Sequence, residues 1–210
     1  MLSGTHTGLD LDLQCNMQPD LPNWESMLDE MKSNPEGTFL MCQEYGSTKS
    51  VALAGALLMA LTKLRREEPK RAAEATSAIF GLLKTLPIWD LGPSMPQLML
   101  SYLNSAIREE GVPADADRSA IAEVLERAAT GGDITSRPLL EALHIALIHV
   151  CSSLVSGGEL SAILAARPSS RDAVNMGVER ISQQFRNDRA LSERFSDEIE
   201  YVLGALRAKG

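Results

Sequence analysis

The chain has 210 residues, a hydrophobic fraction of 44%, a charged fraction of 23% and a formal net charge of −8. A length of this order suits one domain that buries enough apolar surface to need no disulfide or metal staple. The excess of acid argues against a general nucleic-acid binder, because neutralising phosphate takes a basic face.

Aromatic residues make up only 4% of the chain, so Leu, Ala, Ile, Val and nine Met must fill the core. Ala, Leu and Met are among the best helix formers, and few β-branched or aromatic runs leave little material for a sheet. The expected class is all-α, a compact helical bundle. Cys15, Cys42 and Cys151 are too dispersed for a disulfide framework or a metal site, which suggests a reducing compartment. No secretory signal and no transmembrane run are evident, so the expectation is a soluble, cytoplasmic protein. Secretion by a route that leaves the N-terminus uncleaved is compatible with the same sequence.

Residues 1–20 are polar and without sustained periodicity, as expected of a tail. Within them Leu9 to Leu13 alternates apolar and acidic residues and could pair as a strand or dock on a partner. Residues 21–210 read as one helical domain, with a weak subdivision near 112–117. Asn23 offers an N-cap to a short amphipathic helix through Trp24, Met27, Leu28 and Met31, ending before Asn34-Pro35. Phe39 to Cys42 is too short a run for its periodicity to assign, and lacking an evident partner strand it is read as helix.

Ser50 to Leu64 is apolar on nearly every face and shorter than a membrane span, which predicts a core helix capped by Ser47 or Thr48. Glu67-Glu68-Pro69 breaks it, and Ala72, Ala75, Ile79, Leu82 and Leu86 carry the next helix to Pro87. After a Pro-rich loop, Ser94 caps a helix that Gly111 closes, and Asp117 caps another that Gly131-Gly132 ends. Ser136 and Pro138 open a second very apolar helix, a natural core partner for the first, which Gly157-Gly158 terminates. Leu160 to Ala166 is a short helix, and Ser169-Ser170 can cap the one that follows. Val174, Val178, Ile181 and Phe185 then recur at 4-3-4 spacing, the stripe of a helix packed on one partner. Leu191, Phe195, Ile199, Val202 and Leu206 mark the last helix, with Ser196 as a candidate second cap. The total is about eight or nine helices joined by Pro- and Gly-marked turns.

Several short patterns touch on chemistry. Lys49-Ser50 matches the end of a phosphate-binding loop, but Gln43 and Thr48 occupy the positions of its two glycines, so a capped helix start is the better reading. Glu141 and His144 have the E-x-x-H spacing of carboxylate-bridged metal helices but lack a second such pair. His149 lies about 140° round the helix from His144, and Cys151 does not face it. No cofactor, metal site or catalytic set is therefore assigned. Lys63, Arg65, Arg66, Lys70 and Arg71 surround one helix corner, either a patch for an anion or acidic partner or a solvated corner neutralised by Glu67 and Glu68. Trp89 either anchors an interface or tucks back onto the core.

The functional expectation is a non-enzymatic helical module that binds other proteins or a second copy of itself, through Trp89 and the stripe Val174, Val178, Ile181 and Phe185. A nucleic-acid-associated or viral-type structural protein using the basic corner, and an enzyme whose residues converge only in three dimensions, are the alternatives.

Overall fold

The computed structural model describes residues 46–208. The helix around Trp24, the run at Phe39 and the Leu9 to Leu13 segment lie outside the described residues. Among the described residues eight α-helices follow one another: α1 Gly46–Glu67, α2 Ala72–Thr85, α3 Met95–Glu110, α4 Arg118–Thr130, α5 Arg137–Ser156, α6 Leu160–Ala166, α7 Pro168–Arg186 and α8 Arg189–Arg207. A single 3-10 turn, Pro69–Arg71, joins α1 to α2, and no strand occurs among the described residues. The all-α bundle is as expected.

The helix boundaries follow local chemistry. Asp117 Oδ1 accepts from the backbone N–H groups of Ser119 at 3.0 Å and Ala120 at 3.2 Å, satisfying two donors that the first turn of α4 leaves unpaired. Gly131 and Gly132 end α4 at φ 88° and 51°, a region that a side chain disfavours. Several expected caps are not used: Ser94 and Ser136 stand at the N-caps of α3 and α5 without a side-chain capping bond. Ser47 and Thr48 lie inside α1, and Ser169 and Ser170 lie inside α7, where the Ser170 hydroxyl bonds Glu126 at 2.6 Å instead. Ser196 likewise sits within an uninterrupted α8, whose cap is Asp188, accepting from Ala190 and Leu191.

α5 is the hub. It packs on α3 most extensively, then on α8, α4 and α6, and buries Leu143, Ala146, Leu147, Ile148, Val150, Cys151 and Leu154. Each large apolar side chain removed from water in this way contributes about 1.5–3 kcal/mol. By length and composition α5 is also the one helix among the described residues that could cross a membrane; in this fold it is the middle of a bundle. α1 packs on α2 and α3 through Ala54, Leu57, Leu58, Leu61 and Leu64. The two very apolar helices therefore meet mainly through α3, which packs on both, rather than face to face. α7 lies between α4 and α8, completing one continuous apolar cluster from Ala54 to Leu206.

Candidate functional site

The stripe on α7 is not an accessible surface in this fold. Val174, Val178 and Ile181 are 0% exposed and Phe185 is 3% exposed. A 4-3-4 period shows that a helix packs on one apolar surface, and that surface is this chain's own core: Phe185 meets Phe195 of α8 with ring centroids 5.7 Å apart. The partner-binding role assigned to these four residues is withdrawn, because none is accessible.

The basic corner is corrected in part. Arg65 turns inward between α1 and α3, its side chain fully buried, and donates from Nε to Glu109 at 3.0 Å and from Nη2 to Ser105 at 2.6 Å. It belongs to the fold and cannot contribute to a surface patch. Lys63 lies 3.8 Å from Glu67 and Arg71 pairs with Glu74 at 3.0 Å. Arg66 and Lys70 are exposed, so what remains of the corner is thinner and more neutralised than five clustered cations imply.

The histidines and the cysteine do not converge. His144 is buried on α5, and its Nε2 has no hydrogen-bond partner among the described residues. Burial, with a smaller contribution from the Arg180 charge, lowers its pKa from 6.5 to about 4, so the ring is neutral at physiological pH. Cys151 is sealed in the core, and burial pushes its thiol up to about 12, which leaves no thiolate to act as nucleophile or ligand. His149 faces another way, with Nδ1 3.0 Å from Glu198 Oε1 and its ring edge-on to Phe195. No cluster of three or more His, Cys, Asp or Glu side chains that could hold a metal occurs among the described residues.

Two open grooves lie on the surface of the described residues. The first, about 320 Å³, runs between the loop after α2 and the outer face of α4. Trp89 forms one wall, half-buried, with the Arg127 guanidinium 4.7 Å from the centroid of its ring. Its other edge rests on Gly132, where an added Cβ would come within 3.0 Å of the indole. Trp89 thus clips the α2–α3 connection to the end of α4 while keeping one face on the groove. Lys84, Asp90, Glu123 and Arg127 make the lining mixed in sign. Two of these charges are already matched, Lys84 by Asp117 at 2.8 Å and Glu123 by Arg167 at 2.6 Å. The Lys84 hydrogen bond is the main reason the Asp117 carboxyl titrates below its usual range.

The second groove, about 350 Å³, opens where the end of α5, the whole of α6, the start of α7 and the end of α8 converge. Its lining is mostly apolar or small, and Arg171 enters from the first turn of α7. Nothing in the sequence marks Arg127 or Arg171 as lining a groove, since each gains its neighbours from helices distant along the chain. Comparison with protein-family models, with curated proteins and with solved structures returned no match.

Proposed function

We propose that this chain is a non-enzymatic helical interaction module that takes side chains of another protein into grooves at its helix ends. The observation that supports this reading is the pair of open grooves, each walled by residues brought together from two or more helices. Volumes of about 320 and 350 Å³ fall at the lower end of the range for small-molecule sites. Such openings suit one or two anchoring side chains of a partner, the geometry in which a few residues carry most of the binding energy.

Affinity capture of the tagged full-length chain from its native host's lysate, at low and at high salt, tests this. The expected result is a stoichiometric protein that survives high salt. An empty capture overturns the proposal, and so does nucleic acid lost as salt rises, because that loss is the signature of phosphate contacts.

A further inference from the structure

Charge singles out the second groove. Val155, Leu160, Leu164 and Leu206 form its apolar surface, and among the described residues that line it Arg171 alone carries a charge. The Arg171 guanidinium makes a single hydrogen bond among the described residues, from Nη2 to the Leu206 carbonyl at a long 3.3 Å. A guanidinium has five N–H donors in a planar fork that matches a carboxylate. Among the described residues most of that fork is therefore unspent, on the wall of an apolar recess, with no acid in the lining to neutralise it.

We infer that this groove receives a segment of a partner protein that presents an apolar side chain beside a carboxylate, the side chain filling the recess and the carboxylate pairing with Arg171. This rests on the interaction-module reading and adds the chemistry of the partner. A single cation in an apolar setting selects sharply: an acid gains a charge-assisted pair, a neutral amide gains less, and a basic segment is repelled. The mixed lining of the Trp89 groove offers no such preference.

The test uses the full-length chain, isotope-labelled, titrated with acetyl-Leu-Asp-Leu-Leu-Asp-Leu-amide and with the same peptide carrying Asn for Asp. The expected result is saturable shifts of the Leu164, Ala165 and Leu206 amides and of Arg171 Nε, with the Asn peptide about fivefold weaker. Arg171→Gln should bring the two peptides to equal affinity, and Ala165→Trp, which fills the groove, should abolish binding; unchanged amide shifts elsewhere establish that each variant is folded. Equal affinity for both peptides on the natural chain overturns the inference. So does the absence of saturable shifts at these amides, or laurate binding there more tightly than the acidic peptide. A lysate partner that Arg171→Gln and Ala165→Trp both retain also overturns the groove assignment while leaving the interaction module standing, whereas an empty capture by the natural chain removes the module itself.

Discussion

At the crossing of α4 and α7 the two backbones approach so closely that a Cβ on Gly177 would lie 2.6 Å from both the Cβ and the carbonyl oxygen of Ala129. Along the seam between α1 and α3, by contrast, the helices are tied by Arg65, whose buried guanidinium reaches Glu109 and Ser105 on the facing helix. The crossing is held by shape. The polar ties flank it: Arg180 donates at 2.6 Å to the Ala129 carbonyl at the end of α4, and at the start of α7 the Ser170 hydroxyl donates to Glu126 at 2.6 Å. The seam desolvates a charge, leaves Arg65 Nη1 and Thr62 Oγ1 buried without partners among the described residues, and balances the charge with an acid that is 42% exposed. A shape-held contact tolerates no added volume, while a charge-held contact tolerates volume changes but not the loss of the acid that compensates its buried charge. The two regions should therefore fail under opposite kinds of substitution.

The largest effect should come from Gly177→Val. Overpacking a tight crossing costs about 3 kcal/mol, or about 10 °C in Tm for a chain of this size. Gly177→Ala should cost less, because Ala recovers about 1 kcal/mol of helix propensity. Ala129→Gly should rescue it only in part, since the Ala129 carbonyl oxygen is as close to the new methyl as the removed Cβ. A Tm unchanged in Gly177→Val would show that α7 can move off α4, and the crossing would not be shape-held.

The same region carries a pH signature through His144. Its folded pKa of about 4 lies below the ordinary 6.5. Between those values the unfolded chain takes up a proton that the folded chain refuses, so stability is full above about pH 6.5 and falls as pH drops toward 4. The total loss is about 3 kcal/mol. In denaturant titrations, His144→Leu should remove this component and leave a shallower pH dependence than the natural chain. If both chains lose stability in parallel over that window, the buried ring is not the group responsible.

Much of the fold was legible because helix boundaries depend on a few adjacent residues. Asp117, Gly111, Gly131 and Pro87 act on their immediate neighbours, and α6 occupies Leu160–Ala166 as the sequence predicts. What a face packs against is a different matter. Val174, Val178, Ile181 and Phe185 show the same period whether the opposing surface is this chain or another. Arg65 has the same sequence neighbourhood as the exposed Arg66, and only Ser105 and Glu109, 40 and 44 residues away, draw it inward. Asp188 was missed as a cap because it sits in a polar stretch where several residues could serve. The grooves were not legible at all, since Arg171 and Trp89 owe their settings to helices brought together by packing.

On the seam the expected asymmetry runs the other way from the crossing. Glu109→Gln leaves the Arg65 guanidinium buried without its counter-charge and should cost about 2 kcal/mol, below the range for a fully buried pair because Glu109 is partly in water. Arg65→Met removes the buried charge, keeps most of the volume and frees Glu109 to solvent, so its cost should be under about 1 kcal/mol. Urea midpoints of the two variants decide this. Should Arg65→Met prove the more damaging, the seam is held by the packing of the arginine stem rather than by its charge.

The smallest effect should be at Asp117, at the opposite end of α4 from Ala129. Asp117→Ala removes the acceptor for Ser119 and Ala120 and should cost about 1 kcal/mol. Asp117→Asn keeps an acceptor and loses only the ion pair with Lys84, which is well exposed, so its cost should be a few tenths of a kcal/mol and should vanish in high salt. The pH windows also separate. The carboxyl of Asp117 is held below its usual 3.8, so its contribution persists above that value and is lost only as pH falls through the lower folded pKa, after the His144 component has largely run its course. About 18 Å of helix axis lies between Asp117 and Ala129, so the costs of Asp117→Ala and Gly177→Val should add. A double variant that loses markedly more or less than the sum would mean that fraying at the start of α4 reaches the crossing, and that the contact between α4 and α7 depends on the helix being formed along its whole length.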